Sequence, residues 1–391
     1  MRARSVICGL VQLALSVALS DSTCHGFSAS SASSASSSTI TSKQQKTHTH
    51  PVSCSTSSIE NNILILDHLN INHEEGRHDW LKAFYVDFLK CALDPRKFEN
   101  VKSGKKTVWA NIGAHQFHLP EGKPKAQVLD GVVTLAYPNL DALWSRYEDS
   151  DTATAPRLSL KGSEFAVSKS TKDDSLHVTD PWGSKFRLIQ GTEDDKDNRG
   201  KQPGDASEGF GMTDLTIHVP SNASLAGIGR FYEQVLGSKV VTLEQDMIQI
   251  GMGPLQTLTF VTKPSVAVDT HVDLREEKLK DEKEASKDYP IFPGNYGIHI
   301  SLYVADLPSS YQKAEDLGVT YVNTRFSRRA YTLEQSVDDC MFRILSIVDP
   351  ENVAGGPILQ LEHEVRSVIR RDGSKYKSCP FDSVPDGCVT L

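Results

Sequence analysis

Four short segments alternate between polar and apolar residues, and this alternation predicts strands. They are DHLNIN from Asp67, DGVVTLAY from Asp130, DLTIHV from Asp214 and GIHISLYV from Gly297. Alternation with a period of two places successive side chains on opposite faces of a sheet. In three of the segments the inward face carries polar residues. A strand with such a face lines a cavity rather than filling a core.

The polar positions of these three segments are the first candidates for function. They are His68, Asn70 and Asn72; Asp214, Thr216 and His218; and His299, Ser301 and Tyr303. The intervening positions are apolar and face the core. Ser301 and Tyr303, together with His68, are therefore candidates for binding a substrate.

Each segment is followed by a helical pattern and then by further strands. The repeat unit is strand–helix–strand–strand–strand, with about 60 residues per unit once two polar linkers are subtracted. The repeat predicts an α+β protein of four such modules, paired into two domains with concave mixed sheets. We expect a first domain at 59–190, a linker at 191–210, a second domain at 211–366 and a tail at 367–391.

The N-terminal residues have a different composition. Arg2 and Arg4 precede an apolar run, so residues 1–26 are predicted to be a signal peptide. Residues 27–58 are rich in Ser and Thr, contain no acid, and cannot form a core. A signal peptide followed by such a segment resembles a bipartite plastid presequence. The alternative is a secreted protein with a Ser-rich linker.

The overall charge argues against one class of partner. The chain has 391 residues and a net charge of -8, whereas a nucleic-acid-binding protein needs a basic face. No apolar run after the N-terminus is long enough to span a bilayer. We therefore expect a small-molecule ligand, no nucleic acid and no membrane after processing, and a homodimer is compatible with the sequence.

The order of modules resembles the vicinal oxygen chelate superfamily, which includes glyoxalases, bleomycin-resistance proteins and extradiol dioxygenases. Its local signatures here are RFYEQVLG, YGIHISLYVADL, DPWGSKFRL and DPENVAGGPILQL. The resemblance extends over Ile59 to Arg366 and implies the glyoxalase-like fold. It does not imply one reaction, because the superfamily contains isomerases, dioxygenases, transferases and metal-free binders.

In metal-using members each module supplies two metal ligands, one from its first strand and one from its last. The positions that match in the first module are His68 and His118. Those in the second are Val132 and Arg187, and a permanent cation repels a metal. We therefore interpret His68 and His118 as residues that contact an organic ligand, and expect His68→Ala to retain bound metal.

The second domain offers a richer set. The matching positions are Asp214 and Thr259 in the third module, and His299 and Gln360 in the fourth. His218 and Glu362 lie on the same strand faces. Two imidazoles and one carboxylate are the ligands of many non-haem iron oxygenases. The expected metal ligands are therefore His299, Asp214, His218, Gln360 and Glu362, with Glu362 also the expected catalytic residue.

The resemblance implies a metal-dependent enzyme of the glyoxalase or dioxygenase type, acting on a small oxygenated substrate. The cofactor would be a divalent metal such as Fe, Zn, Ni or Mn. One alternative is a metal-free binding protein of the same fold, and another is a structural or regulatory plastid protein. His363 and Glu364 are expected at the surface or the rim of the cleft.

Overall fold

Four repeated modules are visible in the described part of the chain. The structure is a computed structural model that describes residues 61–103, 107–121, 126–149, 155–264, 298–323, 326 and 328–391. The predicted signal peptide and the Ser-rich segment, residues 1–58, lie outside the described residues. No helix among the described residues is long and apolar enough to cross a membrane.

Each module contributes four of the strands. In chain order they are β1 Ile63–Asn70, β2 Ala92–Leu93, β3 Thr107–Ile112 and β4 His115–Pro120; β5 Gly131–Tyr137, β6 Ala166–Lys169, β7 Leu176–Thr179 and β8 Lys185–Gln190; β9 Gly211–Pro220, β10 Val240–Leu243, β11 Met247–Gly251 and β12 Thr257–Lys263; and β13 His299–Val304, β14 Thr320–Tyr321, β15 Met341–Val348 and β16 Pro357–Ser367.

The helices are short and lie mostly between the first and second strands of the modules. They are α1 His78–Leu81, α2 Phe98–Ser103, α3 Leu140–Glu148, α4 Pro156–Ser159, α5 Leu225–Gln234, α6 Leu307–Asp316 and α7 Leu333–Asp339. A π-helix at Lys82–Phe88 continues α1, and 3-10 turns occupy Glu193–Asp195 and Val353–Gly355. Asn139, Ser224, Asp306 and Thr332 cap four of the helices by accepting a backbone N–H in the first turn.

The strands form two mixed sheets of eight strands each. The first sheet has the order β14-β15-β16-β13-β1-β4-β3-β2, and the second has the order β10-β11-β12-β9-β5-β8-β7-β6. Within each module the first and last strands are parallel neighbours, as in the pairing of β1 with β4. The predicted α+β fold of paired glyoxalase-like modules is confirmed.

The pairing of modules differs from the expected one. The first module pairs with the fourth through β1 and β13, and the second pairs with the third through β5 and β9. The expected domains at 59–190 and 211–366 each combine modules that belong to different sheets. The reason is physical: all four first strands carry similar alternation, so the pattern predicts which face is polar but not which edges meet.

The core lies on the apolar faces of the strands and under the helices. In β1 and β13, Leu69 and Ile300 are paired across the strands and are both fully buried. The opposite faces of the same strands are also buried, although they carry His68 and His299. A polar face that is withdrawn from solvent needs internal partners, because unpaired buried polar groups are costly.

The expected linker and tail both pack against the first sheet. Gln202 of the 191–210 segment is 1% exposed. In the tail, Tyr376 and Phe381 are buried and belong to a cluster with Tyr303. The backbone N–H of Val389 donates to the Ala305 carbonyl at 2.9 Å. These two segments therefore help to build the polar face of the first sheet.

Candidate metal centre and ligand cavity

A cavity of about 630 Å³ opens onto the polar face of the first sheet. Trp109 and His118 come from the first module, and Arg343 and Arg366 come from the fourth. Tyr376 of the tail also lines it. The volume is in the range of small-molecule sites. Because two modules and the tail supply the walls, the cavity exists only once the first and fourth modules have paired.

Three potential metal ligands converge on the polar face of the first sheet, and two of them, His299 and Glu364, line the cavity. His68 on β1, His299 on β13 and Glu364 on β16 place one donor atom each within 4.8 Å of one another. The three strands are neighbours in the sheet, and all three side chains are buried. His299 lies opposite Glu362 in register, so Glu364, two residues further on, lies on the same face.

Asp67 sets the orientation of His68. The Asp67 carboxylate lies 2.7 Å from Nδ1 of His68, so Nδ1 carries the proton and Nε2 keeps its lone pair. Asp67 also accepts a hydrogen bond from Gln202 at 2.7 Å. Burial lowers the pKa of His68 despite the contact with Asp67. The ring is therefore neutral, and its Nε2 is available as a ligand.

His299 is also held neutral. Burial lowers the pKa of His299 well below its usual value, and the nearby guanidinium of Arg343 lowers it further. Its Nε2 lies 3.9 Å from a Glu364 oxygen. The His299 ring meets the His68 ring edge-on with centroids 5.6 Å apart. Both imidazoles are thus in the protonation state that a metal requires.

His118 is stacked between two aromatic rings. Its centroid lies 3.7 Å from that of His68 and 4.2 Å from that of Trp109. Its Nε2 is 2.5 Å from Oε1 of Gln116, whose amide nitrogen donates to Asp94 at 2.8 Å. Nε2 of His118 therefore carries the proton, and Nδ1 can accept one.

Two arginines hold Glu364. Arg343 donates to one carboxylate oxygen of Glu364, and Arg366 donates to the other. Burial alone would raise the pKa of Glu364, but these guanidiniums outweigh burial and hold the pKa well below its usual range. Glu364 is therefore ionised. The expectation that it lies at the surface or rim is wrong, since Glu364 is 3% exposed and its neighbour His363 is fully buried.

The donor set fits a divalent metal in type and protonation. Two neutral imidazoles and one carboxylate are ligands that Fe, Zn, Ni and Mn accept. The guanidinium groups on Glu364 oppose a nearby cation, but Glu362 also pairs with Arg343. Glu362, Glu364 and Asp67 lie close to the two arginines and offset part of their charge.

Two of the expected ligands lie elsewhere. Asp214 and His218 are on β9 in the second sheet, so they do not join His299. Asp214 accepts hydrogen bonds from the hydroxyls of Thr216, Thr257 and Thr259 at 2.6–2.7 Å. His218 pairs with Asp130 at 2.6 Å. The expected grouping depended on pairing the third module with the fourth, which the structure does not do.

The other residues of the fourth module that were expected at the site are Glu362, Gln360, Ser301 and Tyr303. Glu362 is fully buried beside Arg343 and accepts two hydrogen bonds from Asn323, so it faces the arginine rather than the cavity. Gln360 is half-buried on β16, opposite Ser346. Ser301 and Tyr303 are fully buried, and Tyr303 packs toward Phe381 of the tail. None of these four lines the cavity.

Two residues that support the site, Arg343 and Gln202, were not predicted from the sequence. Arg343 lies in the apolar run MFRILSIV, where a lone arginine is the only hint of a buried ion pair. Gln202 lies in a polar stretch that reads as a linker. The substrate-binding expectation for His118 rests on the position that the family resemblance matches, and the structure places His118 in the cavity wall.

Comparisons with known proteins give similarity of fold only. No protein-family model and no curated protein matches the chain. Glyoxalase I from Zea mays is 13% identical, with 78% of this chain and 92% of that chain covered and a TM-score of 0.42. The CppA protein from Streptococcus pneumoniae is 10% identical, covering 78% and 100%, with a TM-score of 0.39. The 2,3-dioxygenase LapB from a Pseudomonas species is 11% identical, covering 81% and 94%, with a TM-score of 0.26.

The sequence resembles the vicinal oxygen chelate superfamily. The pairing of strand–helix–strand–strand–strand modules into eight-stranded sheets is the fold that this resemblance implies.

Proposed function

We propose that the protein is a metal-dependent enzyme of the glyoxalase or dioxygenase type, acting on a small oxygenated substrate in the first-sheet cavity. One observation supports this most: the buried donors of His68, His299 and Glu364 converge within 4.8 Å on three adjacent strands. Unprotonated donors that converge beside a cavity and have shifted pKa values are candidates for a functional site.

His68, His299 and Glu364 would hold the metal. When bound, a divalent ion would act as a Lewis acid toward two neighbouring oxygens of the substrate. Asp67 keeps Nε2 of His68 directed into the site, and Arg343 with Arg366 keeps Glu364 ionised. His118 offers Nδ1 as a hydrogen-bond acceptor for the substrate, because Gln116 engages its other nitrogen.

A metal-free binding protein is the second candidate function. It is favoured by the arginines on Glu364, since both of its carboxylate oxygens already accept charged hydrogen bonds. In that case the cluster would be a structural ion network, and the cavity would bind its ligand without a metal.

Metal analysis of the purified protein separates the two functions. The enzyme proposal predicts one equivalent of a divalent metal, and its loss in both His68→Ala and His299→Ala. This replaces the expectation from the sequence that His68→Ala retains the metal, because His68 lies beside His299 and Glu364. The matched control is Asp214→Ala on the second sheet, which should keep the full equivalent. Circular dichroism should show that the three variants are folded.

Two results would favour the binding protein. One is wild-type protein that retains less than about a tenth of an equivalent after exposure to Fe, Zn, Ni and Mn in turn. The other is a metal that remains bound when both histidines are replaced together, because it would then lie outside the cluster and leave the cavity metal-free.

A further inference from the structure

The side chains that line the first-sheet cavity carry an excess of positive charge. The cationic members are Arg96, Lys97, Arg328, Arg343 and Arg366, and the anionic members are Asp67 and Glu364. The lining therefore attracts anions.

Internal ion pairs compensate only some of these cations. Arg96 binds Asp94 through two hydrogen bonds at 2.8 and 2.5 Å. Arg343 and Arg366 are paired with Glu364. Lys97 and Arg328 have no carboxylate within salt-bridge distance among the described residues, so they retain donors for a ligand.

Lys97 and Arg328 come from the two modules that form the cavity. Lys97 lies between β2 and β3, and its Nζ is 4.7 Å from the Trp109 ring centroid. Arg328 precedes α7 in the fourth module and donates to the hydroxyl of Tyr376. Each uncompensated cation thus lies beside an aromatic ring of the cavity wall.

The wall also offers flat apolar surface. Trp109 is stacked on His118, and Phe326 meets His299 edge-on with centroids 5.8 Å apart. The Arg343 guanidinium lies 4.1 Å from the Phe326 ring centroid. Aromatic rings beside cations recognise a planar molecule that carries a negative group.

We propose that the cavity binds a planar organic anion, whose carboxylate or phosphate group is recognised by Lys97 and Arg328. The planar part packs against Trp109 and Phe326. This inference assigns a substrate class to the site of the proposed function and rests on the same cavity. Its charge argument holds without a metal, and a bound divalent cation would strengthen the attraction.

Three probes of similar size test the charge preference. They are benzoate, phenyl phosphate and benzyl alcohol, titrated into the full-length protein and followed by ligand-observed NMR. The protein is first treated with a chelator, so that no metal contributes. At least one anion should bind about tenfold or more tightly than benzyl alcohol, and the stronger of the two identifies carboxylate or phosphate as the preferred group.

Substitutions locate the anion. Lys97→Gln and Arg328→Gln should each weaken binding of the preferred anion by about tenfold and leave benzyl alcohol unchanged. Lys97→Arg and Arg328→Lys keep the charge and should retain most of the affinity. Lys172→Gln and Arg370→Gln are matched controls outside the cavity and should bind like wild type.

The proposal is overturned by equal affinity for the three probes, by no binding of any probe, or by Gln variants that bind the anion like wild type. The outcome is separable from that of the proposed function. Anion preference in a protein that binds no metal would support this inference and contradict the enzyme. Metal binding without anion preference would do the reverse.

Discussion

The two sheets are built from the same module, yet their polar faces differ in burial and in charge. On the first sheet, Arg343 and Glu364 form an ion pair in which both side chains are 4% exposed. The nearest counterpart on the second sheet is Arg187 with Asp173, and these side chains are 42% and 43% exposed. The fold therefore provides a polar strand face, and burial decides whether that face becomes a site.

A second pair of features makes the same point. Both sheets contain an aspartate bound to Nδ1 of a histidine, at 2.7 Å for Asp67–His68 and 2.6 Å for Asp130–His218. The aspartate side chain is 4% exposed in the first pair and 37% exposed in the second. His68 has other donors beside it, whereas among the described residues His218 belongs to no such cluster.

The largest difference between the sheets should be in stability. Arg343→Leu removes the charge that compensates Glu362 and Glu364, so we expect a loss of about 3–5 kcal/mol in the free energy of unfolding. Arg187→Leu breaks an exposed pair and should cost no more than about 1 kcal/mol. Urea unfolding of both variants measures this. Equal losses would remove burial as the distinction between the two faces.

The next effect concerns metal affinity. Asp67→Asn weakens the acceptor that orients His68, and such changes typically lower metal affinity by about 10- to 100-fold. Asp130→Asn makes the same change beside His218 and should leave the affinity unaltered. Competition with a chromogenic chelator measures both. If the two variants lose affinity equally, the metal does not depend on the first sheet.

The smallest effect is in the pH dependence of stability. Burial and, to a smaller extent, the neighbouring His78 lower the pKa of His73 to about 4. In the unfolded chain a histidine has a pKa of about 6.5. The neutral, buried His73 therefore contributes its full share to the free energy of unfolding above about pH 6.5, and this contribution is lost as the pH falls toward about 4. The slope amounts to at most about 1.4 kcal/mol per pH unit.

His73→Leu should remove the part of the pH dependence of the free energy of unfolding that comes from His73. It also removes two buried ring nitrogens that have no hydrogen-bond partner among the described residues. Urea unfolding at pH 5, 6 and 7 compares the variant with wild type. His177→Leu, on the exposed side of β7, is the control. An unchanged slope in His73→Leu would show that His73 is not buried as a neutral ring.

The sequence predicted the module and its polar faces but not the partnership of modules. Alternation of polar and apolar residues was sufficient to place His68 and His299 on inward faces. It could not show that both belong to one site. Strands pair through backbone N–H and C=O groups, which every strand carries, so side-chain alternation does not determine which strands become neighbours. Pairing of the first module with the fourth places these histidines on adjacent strands.

The choice between Glu362 and Glu364 shows a second limit. The two residues share a strand face, so alternation alone does not distinguish them. Their roles differ because Asn323 and Arg343 enclose Glu362, whereas Arg366 and Arg343 hold Glu364 beside His299. Those partners come from distant parts of the chain. Gln202, which lies in an apparent linker, completes the site in the same way.

One measurement tests the central claim most directly. A crystal of the protein loaded with Zn or Mn should give an anomalous difference peak at the metal's absorption edge. The account predicts a single strong peak between Nε2 of His68, Nε2 of His299 and the carboxylate of Glu364, at about 2.0–2.2 Å from the donors. A peak beside Asp214 or His218, or an empty first-sheet cavity in metal-saturated crystals, would contradict it.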